Sequence, residues 1–212
     1  MTGLRLLLAD DHKLLLESFK ALLEPEFSVV GMVCDGRELL SEAPGLKPDV
    51  IILDIGMPML NGLEAAQQIK KVLPGVKLVF LTMNPDPDLA REALRAGASG
   101  YILKTCAASE LTKAVRESMR GKRYITPLVQ HALTEAWIDD PGGTKDHDTL
   151  TPRQREVLQL LAEGCSMKQA ADVLNVAPRT VAYHKYRMMA DLRIKSTAEL
   201  IQYAVRHHVV AN

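Results

Sequence analysis

The sequence predicts a five-stranded, doubly wound parallel α/β unit followed by a small all-helical one. In residues 1–122, short apolar runs bounded by turn formers alternate five times with helical patterns. After residue 149 the strand-like runs all but vanish and helix-start signals recur. Between the two lies Asp139-Asp140-Pro141-Gly142-Gly143-Thr144-Lys145-Asp146-His147-Asp148, polar and broken by proline and glycine, with the composition of an exposed linker. The expected division is therefore 1–122, a linker at 123–149, and 150–212.

Taken in order, the strand-like runs are Leu4–Ala9, Phe27–Met32, Val50–Leu53, Lys77–Leu81 and Gly100–Leu103. The helical patterns are Lys13–Leu23, Arg37–Ala43, Leu63–Val72, Leu89–Ala96 and Leu111–Met119. Short connections between alternating elements imply right-handed crossovers and a parallel sheet covered on both faces. The run Val50-Ile51-Ile52-Leu53 is apolar without alternation, as a strand buried on both faces must be.

Composition is that of an ordinary globular chain: 212 residues, 47% hydrophobic and 25% charged, enough for two small cores. No apolar stretch is long enough for a membrane span and the start lacks a secretory pattern, so the expected location is the cytoplasm. Cys34, Cys106 and Cys165 are far apart, match no metal spacing and read as buried or idle thiols. Charge is balanced, 26 basic against 26 acidic, but unevenly placed. Residues 1–124 carry 16 of each sign, 125–149 one base against five acids, and 150–212 nine bases against five acids. The basic tail suits nucleic acid, and the acidic stretch before residue 149 either lies against that tail or is a solvated linker.

The residues just past the strands carry the chemistry. Asp10 and Asp11 follow the first, Asp54 the third, Thr82 the fourth and Lys104 the fifth, all on one sheet edge, where open α/β folds place their sites. Three carboxylates so close repel one another and call for a cation, and an all-oxygen cluster suits Mg²⁺ better than zinc. Lys104 adds positive charge and Thr82 a hydroxyl, so the edge reads as one built to hold a phosphoryl group on Asp54. A single aspartate at a strand end is more often a turn or cap, but five such groups at matching ends are not explained that way.

Asp10-Asp11, Asp54 with Met57-Pro58 and Asn61-Gly62, Thr82, and Gly100-Tyr101-Ile102-Leu103-Lys104 resemble the receiver domain of two-component response regulators, over residues 1 to 122. The resemblance implies that Asp54 accepts a phosphoryl group from a histidine kinase. It implies Mg²⁺ on Asp10, Asp11, Asp54 and the Gly56 carbonyl, and phosphoryl oxygens on Thr82 and Lys104. Tyr101 becomes the aromatic switch that turns inward when Thr82 moves, against the plainer reading of a half-buried strand aromatic. Met83 after Thr82 and Thr105 after Lys104 depart from the commonest pattern, and Gly56 and Asn84 offer no acid beside the acceptor.

In the tail, Thr151-Pro152-Arg153-Gln154, Ser166-Met167-Lys168-Gln169 and Ser196-Thr197-Ala198-Glu199 fit the capping-box pattern and mark three helix starts. Asn175 suits the left-handed turn between two helices, and Ala170 and Ala171 allow their close approach, the outline of a helix-turn-helix. On the second helix, from Pro178, the residues Val181, His184 and Met188 fall on a core stripe, leaving Arg179, Ala182, Tyr183, Tyr186 and Arg187 outward. Leu150 to Leu158, Thr180-Val181 with His184, and Ile194-Lys195-Ser196 with Ala198-Glu199-Leu200 are similar to the LuxR-type DNA-binding domain, from 150 to 210.

Joined in this order, the chain resembles NarL/FixJ-type response regulators. That implies DNA contacts from Arg179, Thr180, Ala182, Tyr183, Lys185, Tyr186, Arg187 and Lys195, and a homodimer on double-stranded DNA. The apolar stripe Leu200, Ile201, Ala204 and Val205 near the C-terminus either forms the dimer interface or packs on its own domain. The resemblance also implies a structural Glu156 paired within its own domain. Lys185, Arg179, Lys195 and Arg193 suit phosphate better than bases. The expected output is transcription rather than catalysis. Of two rival classes, a haloacid-dehalogenase-type phosphatase wants a second acid where Gly56 stands, and a protein-binding adaptor has no need of a DNA-like face.

Overall fold

The computed structural model describes residues 3–106, 108–139 and 150–210. Its strands are β1 (Arg5–Ala9), β2 (Ser28–Val33), β3 (Val50–Asp54), β4 (Lys77–Thr82), β5 (Gly100–Leu103) and β6 (Tyr124–Ile125). They form one sheet ordered β2-β1-β3-β4-β5-β6, every pair parallel. The helices of this half are α1 (Lys13–Leu23), α2 (Gly36–Leu46), α3 (Gly62–Val72), α4 (Pro87–Arg95), α5 (Ala108–Met119) and α6 (Pro127–Asp139). All of β3 is buried, as its unbroken apolar run requires. Alternation along the strands feeds two cores: Leu7, Ile51, Leu53, Leu78 and Phe80 enter one, and Leu6, Leu8, Val50, Ile52, Val79 and Leu81 the other.

The doubly wound parallel fold is the one expected, with a sixth strand added. Residues 124–139, expected within the linker, form β6 and α6 and pack on the sheet and on α4. Val129, fully buried, and Leu133, one turn on, join the first core, and the buried Thr126 hydroxyl accepts a hydrogen bond from the Leu103 amide at 3.2 Å. Leu103 would otherwise expose that N–H at a sheet edge. The stretch Asp140–Asp148, where an acidic contact with the basic tail was one expectation, lies outside the described residues.

Two glycines set the helices against the site. A Cβ on Gly62 would fall 2.0 Å from the Asp54 carbonyl oxygen, and one on Gly36 2.0 Å from that of Leu60. Both α2 and α3 start in backbone contact with the segment that follows β3, which only glycine permits.

The second half comprises α7 (Pro152–Ala162), α8 (Met167–Val173), α9 (Pro178–Asp191) and α10 (Thr197–Arg206). Thr151 with Gln154 and Ser166 with Gln169 make reciprocal capping boxes. At the third start Ser196 accepts from the Glu199 amide, but the Glu199 carboxylate reaches back to the Lys195 N–H instead of that of Ser196. Asn175 takes φ 51° between α8 and α9, and Ala170 and Ala171 are fully buried where those helices meet. Val181 and Met188 are core, whereas His184 of the same stripe is only half-buried, and burial beside the Arg153 charge holds its imidazole below the usual range.

Candidate functional site

Register alone brings the chemistry-bearing residues together. Ala9 pairs with Leu53, Asp54 with Leu81, and Thr82 with Leu103, so Asp10, Asp54, Thr82 and Lys104 fall at one edge of adjacent strands. The Lys104 Nζ lies 2.6 Å from Asp10 Oδ2 and 3.1 Å from Asp54 Oδ2, with all three side chains under a tenth exposed. One ammonium thus serves two buried carboxylates. Asp54 also accepts from the Ile55 amide at 2.8 Å. Its carboxyl nevertheless sits above the usual range because burial, reinforced by the Asp10 charge, outweighs Lys104.

Asp11 lies beside Asp10, and His12, which the sequence did not single out, joins them. One ligand atom from each of these three lies within 4.8 Å of the others, and His12 Nδ1 is 2.8 Å from Asp11 Oδ1. The set fits a hard divalent cation: Asp10, Asp11 and Asp54 bring three negative charges, and Lys104 offsets one of them at close range.

Thr82 is buried, and its hydroxyl accepts from the Asn84 amide at 3.1 Å. Tyr101 is fully buried, and its hydroxyl donates to the Asn84 carbonyl at 3.0 Å. The ring is therefore already inward, and burial pushes its phenol well above the usual range. Asn84, absent from the expected site, is the link between Thr82 and Tyr101.

Side chains from the helical half reach this edge. Gln159 of α7, almost fully buried, donates to the Met57 carbonyl at 2.9 Å and accepts from the Asn61 amide at 2.8 Å. Glu163 accepts from the Met59 amide at 3.1 Å, and Met59 packs against the core of the helical half. Past α10, His208 accepts from the Asn84 side chain at 3.3 Å and donates from Nε2 to Asp86 at 3.2 Å. Glu156 pairs with Arg153 in its own half at 2.8 Å, as expected, and also with Arg37 of α2 and Gln68 of α3. Arg155 spans to Glu64 and Glu92.

Helix α9 presents a different surface. Tyr183 and Tyr186 are 62% and 60% exposed, Arg179 and Arg187 are exposed, and Thr180, Ala182 and Lys185 are partly exposed. The Lys185 ammonium lies 5.8 Å over the Tyr186 ring. The guanidinium of Arg187 is held at 3.2 Å by Asp191, an acid one turn on along the same helix. Lys195 and Arg193 are exposed beyond the C-terminal end of α9. Of the α10 stripe, Leu200 and Ala204 are fully buried in their own core, leaving Ile201 and Val205 half-buried.

Residues 6–116 match the family model of the response regulator receiver domain, and residues 148–204 that of the bacterial regulatory proteins of the luxR family. The chain belongs to the two-component response regulators. It is 35% identical to the oxygen regulatory protein NreC of Staphylococcus carnosus, covering 96% of this chain and 97% of that one. It is 32% identical to the transcriptional regulatory protein LiaR of Bacillus subtilis, covering 98% and 99%. Among solved structures it is similar to the response regulator RcsB of Salmonella typhimurium, with TM-score 0.65 and 28% identity over 96% of this chain and 97% of that one. A second similar structure, TM-score 0.60 and 28% identical over 95% and 97%, is an RcsB–DNA complex. Receiver and LuxR-type domain together make this NarL/FixJ-type chain a regulator of transcription and not an enzyme. Among the described residues no helix is long and apolar enough to cross a membrane.

Proposed function

We propose that Asp54 takes a phosphoryl group from a sensor histidine kinase in the cytoplasm, and that its arrival controls how the LuxR-type half engages double-stranded DNA. The observation that carries this reading is the single Lys104 ammonium shared by buried Asp10 and Asp54 at the mouth of the sheet. An Asp54 oxygen attacks phosphorus, a P–O bond forms, and the phosphorus–nitrogen bond to the kinase histidine breaks as the imidazole leaves. Lys104 and the Thr82 hydroxyl then meet the phosphoryl oxygens. Asp10, Asp11, Asp54 and the Gly56 carbonyl would hold Mg²⁺, which when bound neutralises charge developing on the transferred group.

The modified Asp54 carries roughly two negative charges more than a neutral side chain. Thr82 is linked through Asn84 to Tyr101, and because that ring is already inward, its part in the switch is a change in its bond to the Asn84 carbonyl and not an inward turn. DNA is met by Arg179, Thr180, Ala182, Tyr183, Lys185, Tyr186, Arg187 and Lys195, with a homodimer formed at the half-buried Ile201 and Val205. The functional division is a receiver that runs past residue 122 to take in β6 and α6, and a DNA-binding unit at 150–212.

With acetyl phosphate and Mg²⁺, intact-mass measurement should show one added phosphoryl group, absent in Asp54→Asn. Equal labelling of that variant would move the acceptor elsewhere.

A further inference from the structure

At the end of the sheet opposite Asp54 lies a cleft that the acceptor chemistry does not use. Val50 and Lys77 are register partners where β3 and β4 begin, so this end is a strand length away from the residues that follow those strands. The cleft holds about 510 Å³, within the range of small-molecule sites. Its walls are mostly apolar: Pro44 and Pro48 from the end of α2 and the turn after it, Val72 and Leu73 from the end of α3, Val76 before β4, and Met119 from the end of α5. Val72 and Met119 are left 59% and 40% exposed, on helices that pack into different cores.

Gly75 lies on the same lining. It needs no left-handed backbone, and a Cβ there would meet nothing within 4 Å. Neither conformation nor packing explains glycine at this point. What its bare Cα leaves is room.

Three charged side chains share the walls, Lys47, Asp49 and Lys77. Asp49 is engaged, its Oδ2 accepting from the Arg5 amide at 2.8 Å. The Arg5 guanidinium donates to the Leu46 carbonyl at 2.8 Å and to the Lys47 carbonyl at 3.3 Å, so the end of α2 is capped without the Lys47 ammonium. Lys47 itself takes φ 45°, a conformation that helix ends usually give to glycine. Burial, and after it the Lys77 charge, hold the Lys70 ammonium below its usual range, which marks a second cation close by. The C-terminal ends of α2, α3 and α5 each contribute about half a negative charge. Lys47, Lys70, Lys71 and Lys77 outweigh those ends and Asp49 together, while Glu117 on α5 is met by Arg120 and Lys122. The cleft is therefore electropositive over an apolar floor.

We infer that this cleft is a binding site for a small amphipathic carboxylate, its apolar tail against Val72, Leu73, Val76 and Met119 and its carboxylate met by Lys47 and Lys77. An uncharged molecule gains only the tail contact, and an amine is repelled. The receiver then carries a ligand site separate from its acceptor edge, and the assignment does not depend on Asp54.

The test titrates the full chain with octanoate, below its micelle concentration, and follows backbone amide shifts by NMR, with 1-octanol and octylamine as matched probes. Saturable shifts are expected at the Gly75, Val76 and Lys77 amides with octanoate. Lys47→Asn combined with Lys77→Gln should weaken octanoate roughly tenfold and leave octanol unchanged, as the loss of two partly screened charge contacts requires. Gly75→Leu, for which the fold has space, should abolish saturation by octanoate and octanol alike.

No saturable shift at those amides overturns the inference, as does equal affinity for octanoate and octylamine. Octanoate binding that survives Gly75→Leu, in a chain whose other amides are unmoved, overturns it as well. So do shifts at the same amides on raising protein concentration alone, which would give the cleft to a second copy of the chain. Should Gly75→Leu fail to fold, the double lysine variant decides, and an unchanged octanoate affinity there is the contrary result.

Discussion

The acceptor edge and the face of α9 are opposite kinds of surface within one chain. At the first, charged groups are buried and paired: Lys104 lies between Asp10 and Asp54, and Thr82 and Tyr101 converge on Asn84. At the second, Tyr183 and Tyr186 stand mostly in solvent and Lys195 is exposed. A buried polar cluster in low dielectric responds strongly to one added charge, whereas an exposed face is screened and acts through many weak contacts. The chain thus keeps its sensitive chemistry closed and its nucleic-acid surface open, and α7 and the segment past α10 connect the two.

The largest expected effect removes the Lys104 cation that lies between the two buried carboxylates. Lys104→Ala should destabilise the receiver by about 3 kcal/mol at neutral pH in chelator, the cost of stranding a buried charge. Added Mg²⁺ should recover part of that in a thermal melt. A melt unchanged by the substitution would mean the edge is far more solvated than its burial implies.

The open face is tested next, and smaller effects are expected there. Tyr186→Ala should narrow the gap between specific and random DNA by roughly 1–3 kcal/mol if its ring reads bases, whereas Lys195→Ala should weaken both together and lower the salt slope by about one unit. A salt titration of each variant on an operator and on random duplex separates the two. An unchanged ratio in Tyr186→Ala would assign reading to Tyr183, Arg187 or DNA shape.

Smaller still is the pH response of Asp54. Its carboxyl is raised above its unfolded value, chiefly by burial, so its contribution to stability is present below the unfolded pKa and lost as pH rises through the folded one. Asp54→Asn should therefore melt about 2–4 °C higher at neutral pH, a gain that fades as the solution is acidified through the carboxylate range. His184 has the other sign. Its imidazole is held low by burial and Arg153, so the DNA-binding half should lose a little stability as pH falls below the unfolded histidine value near 6.5, and His184→Gln should flatten that loss.

The acceptor edge was legible in the sequence because its signal is local: Asp54 ends an apolar run, and Asp10, Thr82 and Lys104 do the same on their own strands. Asn175 and two of the capping boxes were legible for the same reason. The junction was not. Gln159, Glu163 and His208 are ordinary polar residues on helices or just past them, and their partners lie about a hundred residues away or more. Nothing in spacing links Gln159 to Asn61. Helix α6 was hidden differently, since Val129 and Leu133 make a narrow stripe in a segment whose acids dominated the reading. Leu200 and Ala204 show the limit of helical periodicity, which marks an apolar stripe without saying whether it meets its own core or a partner.

The most direct measurement of the central claim is the DNA affinity of the whole chain with and without acetyl phosphate and Mg²⁺, at one fixed salt concentration, alongside Asp54→Asn. The account predicts that wild type binds a two-half-site duplex more tightly and more cooperatively once labelled, while Asp54→Asn shows no change. Equal affinity for labelled and unlabelled wild type, or the same gain in Asp54→Asn, would contradict it.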